Sequence, residues 1–499
     1  MSRQIVIIGA GLGGMACAAR LGHAGYQVKV VEKNAQTGGK MGIWKAEGFS
    51  WDTGPSVLTM PFILRHHFQD VQCDVDDYLE MIQIEPTCHY LFPDGHSMHT
   101  WSNPATMTIE VARRENDRGR RFKKFWHYSK GIYELSADAF LFKTPGRTAR
   151  LLPSGILGKL RHLPKVLTLS TMASKIRRSF KDPHVRQVFN RFATYNGSSP
   201  YKTPATFNVI AYTEMGFGAW YVKGGMYRIA AAMERLAREK NVEFMLNTEV
   251  EEIVVNPRRQ VEGVRLKGGE MLQADAVVVN GDVIDAWTSL LKFPGKESTE
   301  RRLARRPLSS SGFIILLGVN KSYQKLDHHN VFFSKDYRKE FNEIFKAKVP
   351  PSDPTIYVSV SARSDPTQAP QGKDNMFILV NTPPVQPNFS WSSEKEKYAS
   401  FIIDQLENRA LFELSKHIAC RRIFSPLDFA DRYYAHRGSI YGHASHSLLS
   451  IFKRPKNRSR RVKGLYFAGG SVQPGGGIPL VLLSGKNAAI CIQHDLLRS

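Results

Sequence analysis

Apolar and polar positions along the chain alternate between runs suited to buried strands and stretches with one apolar face suited to helices. The first run, Gln4-Ile-Val-Ile-Ile8, is continuous and short, the pattern of a strand buried on both faces of a parallel sheet. Met15 to Gly22 follows with small residues on one face, which predicts a helix packed closely on that strand, and Val28–Val31 predicts a second strand. Short alternating runs between Tyr78 and Pro104 flank Asp94-Gly95 and predict a hairpin. Residues 105–140 read as helical. So does Tyr227–Lys240, with Ile229, Met233 and Leu236 inward and Arg228, Arg235 and Arg238 outward. Strand patterns return at Val242–Ile253, Val261–Leu266 and Gln273–Asn280. They recur at Phe313–Val319, Thr355–Val360 and Met376–Val380, with Pro350-Pro351 and Pro383-Pro384 marking loops. Near the end, Leu465–Phe467 reads as a strand and Pro479 opens a final helix.

This order predicts an α/β protein with a Rossmann-like parallel sheet and an interleaved α+β domain. The expected division is 1–77, 221–294 and 436–499 for the nucleotide-binding part, and 78–220 and 295–435 for the substrate part. A length of 499 residues with 42% hydrophobic and 11% aromatic content supports more than one core. Charge changes the picture more. Lysine and arginine number 69 against 45 acidic residues, a net +24, yet no nucleic-acid module is present, so no nucleic-acid partner is expected. The excess peaks between Leu141 and Lys181, where ten basic residues, Lys143 to Lys181, meet no acidic one and are interleaved with leucines. Such a segment suits an anionic membrane surface. No apolar run reaches the roughly 18 residues of a membrane span. The first strand begins at once, leaving no room for a signal peptide, and five cysteines without C-x-x-C pairing suit a reducing compartment. A cytoplasmic protein attached peripherally to the inner face of the cell membrane is therefore expected. The sequence does not specify a homo-oligomer and leaves room for one.

The chemistry is concentrated at the two ends. Gly9, Gly11 and Gly14 stand at G-x-G-x-x-G spacing between the first strand and its helix. They supply a tight turn, a close backbone approach to a pyrophosphate and close helix packing, respectively. Glu32 ends the second strand, where a carboxylate meets a ribose diol and repels a 2′-phosphate. Lys33, Gly38-Gly39-Lys40 and Gly54-Pro55 follow as further candidates for the dinucleotide site. These residues leave FAD and NAD both open.

Gly9, Gly11, Gly14, Glu32, Gly38, Gly39 and Lys40 together resemble the binding block of the flavin-dependent amine-oxidase and carotenoid-desaturase superfamily, and that resemblance implies FAD. It also implies an amine-oxidase (GR2-type) flavoprotein fold, with Val250 meeting the adenine through its backbone and Asn280 beside the cofactor. The stretch 190–228, reading Asn190-Arg-Phe-Ala-Thr-Tyr-Asn-Gly-Ser-Ser-Pro-Tyr-Lys-Thr-Pro-Ala-Thr206 and continuing to Trp220-Tyr-Val-Lys-Gly-Gly-Met-Tyr-Arg228, is similar to bacterial-type phytoene desaturases, in which it lines the flavin and substrate region. Gly469, Gly470, Gly477 and Ile478 then form the far side of the cofactor bed, with the last helix aiming its positive end at the flavin edge that gains negative charge on reduction.

The resemblance implies an FAD-dependent carotenoid desaturase that takes an apolar polyene and passes hydride to flavin N5. The chemistry rests with the cofactor, so no catalytic side chain is assigned. Val472-Gln473 stand where the family has Thr-His, removing a titratable group, and a carotenoid terminal oxygenase of the same family is the alternative. Non-enzymatic prenyl-lipid carriers share the fold but lack the phosphate-binding glycines kept here. No metal is expected: His443-x-x-His446, read on a helix, and His66-His67 both lack a third ligand.

Overall fold

The computed structural model describes residues 3–137, 170–447 and 453–497. The chain starts with strand β1 (Gln4–Ile8), helix α1 (Leu12–His23) and strand β2 (Gln27–Val31). The hairpin β3–β4 (Cys88–Leu91, Ser97–Thr100) leads into helices α2 (Pro104–Glu115), α3 (Arg120–Ser136), α4 (Met172–Ser179), α5 (Pro183–Arg191) and α6 (Val209–Phe217). Helix α7 (Tyr227–Glu239) precedes strands β5 (Glu243–Met245), β6 (Val250–Val255), β7 (Val261–Leu266), β8 (Met271–Gln273) and β9 (Ala276–Val279). Strands β10 (Ser311–Val319), β11 (His329–Phe332), β12 (Ile356–Val360) and β13 (Asp374–Thr382) come next, then helix α8 (Trp391–Arg409) and strand β14 (Ile418–Phe424). Strand β15 (Leu465–Phe467) and helix α9 (Ile478–Leu496) close the chain.

Three sheets organise these elements. The first is fully parallel, ordered β15-β9-β1-β2-β5, so one sheet draws strands from both ends of the chain and from its middle. Strand side chains alternate faces. Ile5 and Ile7 pack with Met15, Ala16, Leu482 and Ile492 of helices α1 and α9, while Val6 packs with Val277, Val279, Val264 and Trp287 on the other side. The second sheet, the antiparallel β6-β7-β8, supplies much of that other side. The third has seven strands, β14-β10-β13-β12-β11-β3-β4, antiparallel except where β11 meets β3. Strand β10, Ser-Gly-Phe-Ile-Ile-Leu-Leu-Gly-Val, is buried at every position, as its unbroken apolar run requires.

The run Val242–Ile253 is not one strand. It breaks at Asn247, whose φ of 52° turns the chain, and β5 joins the parallel sheet while β6 joins the antiparallel one. Periodicity carries no information about which neighbour a strand pairs with, so the break was invisible to it. His443 and His446 lie in an irregular segment, not on a helix. His443 Nε2 lies 3.0 Å from the Leu303 carbonyl, and His446 Nε2 accepts from the Ser199 N–H, also at 3.0 Å.

Most of the basic segment 141–181, from 141 to 169, lies outside the described residues. Its described end, helix α4, turns Met172 and Ile176 into the core and leaves Arg177 and Arg178 exposed. No helix among the described residues is long and apolar enough to cross a membrane.

Candidate active site

Helices α2, α4 and α5 start with side-chain caps from Asn103, Thr171 and Asp182. Helices α1 and α9 do not. Gly11 precedes α1 and Gly477 precedes α9, and neither helix start is capped by a side chain. Their leading N–H groups and positive dipole ends are thus left for a ligand. Both starts open on one cavity of about 740 Å³.

Fifteen of the sixteen expected cofactor residues line that cavity: Gly9, Gly11, Glu32, Lys33, Gly38, Gly39, Lys40, Gly54, Pro55, Val250, Asn280, Gly469, Gly470, Gly477 and Ile478. The sixteenth, Gly14, does not. A Cβ there would strike the Gly9 carbonyl oxygen, so its part is the close packing of α1 on the preceding turn. At Gly11 an added Cβ would lie 2.6 Å from Asn280 Nδ2. Gly9, Gly39, Gly469 and Gly477 have φ of 98°, 59°, 104° and 105°, a region that side chains disfavour. The result is a cradle of bare backbone from both ends of the chain.

Glu32 is buried at the end of β2. Its Oε2 accepts from the Ala10 N–H at 2.8 Å, and its Oε1 from the N–H and Nδ2 of Asn34 at 2.9 and 2.6 Å. A carboxylate has about four lone-pair sites, so one remains for a hydroxyl in the cavity. Lys40 Nζ donates to the Ile440 carbonyl at 2.7 Å. Burial lowers the Lys40 ammonium below its usual range, while Asp282 pulls the other way. Lys33 is turned toward the rim, where its Nζ meets the Asp431 carbonyl at 2.9 Å and lies 3.3 Å from the Tyr434 ring centroid.

Beyond the cradle the cavity continues to the seven-stranded sheet. Its wall there is formed by apolar Ile314, Val331, Phe377, Leu379 and Phe429, and by the polar side chains of Arg191, Tyr195, Glu214, His329 and Tyr357. Tyr357 Oη bridges the two regions, 2.6 Å from Ser56 Oγ and 2.8 Å from His329 Nδ1. Burial, reinforced by His328 and Arg191, holds His329 well below the usual histidine range. Burial lifts the Glu214 carboxyl, with Arg191 and the Tyr195 hydroxyl pulling downward.

Part of the 190–228 stretch does not reach this wall. Gly224, Gly225 and Met226 lie away from the cavity, and Met226 sits in the core beside α7. The Asp52 carboxylate accepts from the N–H groups of Met226 and Tyr227, both at 2.9 Å, and so caps the start of α7. The glycines make that tight entry, with φ of 84° and 103°. Val472 and Gln473 are also off the cavity. The Gln473 carbonyl accepts from Ser484 Oγ and Asn457 Nδ2, holding the C-terminal loop. Of the residues that motif reading passed over, Arg191, Tyr195 and Glu214 fell inside a stretch already singled out. His329 and Tyr357 come from separate strands, and only pairing of β11 with β12 brings them together. Two clusters, His89/His99/Asp327 and Asp94/His96/His184, have ligand-like spacing but lie outside this wall.

A parallel sheet with bare helix starts on either side of a glycine cradle, and a carboxylate at the ribose position, define a dinucleotide-dependent oxidoreductase. The profile of the flavin containing amine oxidoreductase family matches residues 12–493, and the chain belongs to that family. FAD is its cofactor, and the bare cradle and the open lone pair of Glu32 fit it. The chain is 37% identical over 499 residues to a 4,4'-diapolycopene oxygenase of Methylomonas sp, covering 99% of each. It is 35% identical to a zeta-carotene-forming phytoene desaturase of Myxococcus xanthus, covering 97% of this chain and 92% of the relative. These matches bear out the resemblance read from the glycine blocks and residues 190–206. In fold it is similar to an oxidoreductase from Methanosarcina mazei, with a TM-score of 0.64 at 15% identity over 98% of this chain and 100% of the other.

Proposed function

We propose that this oxidoreductase desaturates an acyclic carotenoid, removing two hydrogens from adjacent carbons to lengthen the conjugated chain. The observation that carries the reading is the continuity of one cavity from the glycine cradle to an apolar wall on the seven-stranded sheet. Full-length likeness to relatives with carotenoid names supports it. FAD held in the cradle supplies the hydride acceptor. Gly11, Asn280 and the start of α1 would face its pyrophosphate, Glu32 its ribose, Val250 the adenine end, and Gly477-Ile478 the flavin edge. Ile314, Phe377 and Leu379 would orient the polyene and exclude water. Hydride loss leaves an allylic cation whose neighbouring C–H is strongly acidified, so the proton needs only a weak base.

A terminal oxygenase reading is favoured by one observation, the 37% identity to an enzyme named for that activity. The purified holoprotein, supplied with acyclic C30 and C40 carotenes, should yield products with red-shifted absorption and mass lower by two per step. Incorporation of label from ¹⁸O₂ would mean the oxygenase reading, and no change in any carotene of the panel would refute both.

Residues 141–181 are proposed to hold the protein on an anionic membrane surface, where such substrates partition. The support is their charge, with each cation worth about 1 kcal/mol near the lipid. Flotation with anionic but not neutral vesicles, weakened by 0.5 M salt, is the expected result; equal flotation with both would refute it.

A further inference from the structure

Three arginines, Arg454 buried and Arg363 and Arg191 half-buried, differ in what satisfies them. Arg363 forms a two-pronged pair with Asp374 at 2.7 and 3.0 Å and donates to the carbonyls of Leu326 and Tyr323. Arg454 donates to the carbonyls of Tyr441, Gly470 and His443. Both have backbone or carboxylate partners and lock the fold. Among the described residues the Arg191 side chain, at the end of α5, has one hydrogen bond, from Nη1 to Tyr90 Oη at 3.1 Å. Among the described residues no carboxylate stands within ion-pair reach of it. Three rings hold the guanidinium instead, with its carbon 5.4, 5.6 and 5.7 Å from the centroids of Tyr195, Tyr90 and Tyr357. This fixes the plane and leaves Nε and Nη2 undirected into the protein, on a side chain that lines the cavity.

Other unmet groups surround it. Glu214 receives the Tyr195 hydroxyl on Oε2, while its Oε1 has no partner among the described residues. Tyr337 Oη and His329 Nε2 are also unpartnered, and all three residues are buried and line the cavity. Burying polar atoms without partners costs about 1–3 kcal/mol each, and a hydrocarbon offers nothing in return. The donors and the acceptor would be met together by an oxygen atom.

Resting on the polyene reading above, we propose that the Arg191 end of the cavity is a subsite for an oxygen-bearing terminus of the polyene, a hydroxyl or a carbonyl. Arg191 donates to that oxygen. Glu214 Oε1 accepts a hydrogen bond from a hydroxyl, which a carbonyl cannot donate. The enzyme would then act on chains already hydrated or oxidised at one end.

The test uses the holoenzyme and polyenes of one length ending in hydrocarbon, hydroxyl, aldehyde or carboxylate. The readouts are kcat/KM and equilibrium binding, followed by the shift of polyene absorption. The wild type should favour the hydroxyl or aldehyde terminus over the hydrocarbon by about 10- to 100-fold, the range of a buried charged hydrogen bond. Arg191→Gln should abolish the preference, so that hydroxyl and aldehyde termini are handled no better than the hydrocarbon. Should Arg191→Gln not fold, Glu214→Gln provides the second variant, reducing preference for hydroxyl over aldehyde. Equal handling of all termini by the wild type, or a uniform loss in both variants, would overturn the subsite. Failure to turn over any polyene would refute the proposed function alone, because the binding measurement still decides whether Arg191 reads an oxygen.

Discussion

Gly485 lies in the middle of helix α9, where no turn calls for glycine, and it packs closely against helix α1. An added Cβ would lie 2.8 Å from Ala16 Cβ and 2.9 Å from Cys17 N, and closer still to the Gly13 carbonyl oxygen. Gly485→Ala sets two effects against each other. Replacing glycine in a helix interior favours the helix by about 1 kcal/mol. Forcing a methyl into a filled contact costs about 1–3 kcal/mol, and here the obstacles are backbone atoms, which cannot swing aside. Relief requires the helices to part, so the cost lies at the upper end of its range, overpacking wins and the net loss is up to about 2 kcal/mol. Gly13 lines the cavity, and the parting should therefore also weaken FAD. Since FAD stabilises the folded state by an amount that grows with the logarithm of its affinity, the deficit should be larger with FAD than without it. Thermal unfolding with and without FAD, and FAD titration by fluorescence quenching, measure both. Gly131→Ala on α3 is the control, with no described atom within 4 Å of its added Cβ, and it should stabilise by about 0.5–1 kcal/mol. If Gly485→Ala stabilises like Gly131→Ala and FAD affinity is unchanged, the reasoning is wrong.

Glu340 is buried, and burial raises its carboxyl from 4.5 to about 7 against hydrogen bonds from Thr355 and Ser334. A raised folded pKa means that its contribution to stability is complete below about pH 4.5 and is lost as pH rises through about 7. Glu340→Gln should remove that loss, gaining up to about 3 kcal/mol relative to wild type at pH 8 and little at pH 5, by denaturant titration; a gain independent of pH would contradict it. Asn457 donates through Nδ2 to the Phe467, Gln473 and Ser484 carbonyls and to Ser484 Oγ, tying β15 to α9. Asn457→Ala should cost about 2–4 kcal/mol and release FAD on dilution, and an unchanged unfolding midpoint would count against it.

Motif spacing located most of the cofactor cradle because the chemistry there is backbone chemistry. A glycine needed at Gly11 or Gly477 leaves its mark at one position, whatever its neighbours do. Lys40 was legible as a cation near the site but not as a donor to the Ile440 carbonyl, a contact across 400 residues of chain. Gly224 and Gly225 misled for the converse reason. Their positive φ serves a turn capped by Asp52, and spacing cannot distinguish a glycine facing a ligand from one facing a carboxylate of its own protein.

The amino-acid sequence by itself determined the first strand, the helix behind it, the acidic strand end and the uncapped final helix, because each depends on residues within a few positions of one another. Only the tertiary structure decided that β1 and β15 share a sheet with β9 between them, so that Gly11 and Gly477 open on one cavity. It alone placed Arg191, Glu214, His329 and Tyr357 on the same wall, since their proximity follows from strand pairing and helix packing across the chain. Local physics wrote the cofactor's half of the site into the sequence. The substrate's half exists only once distant segments have packed.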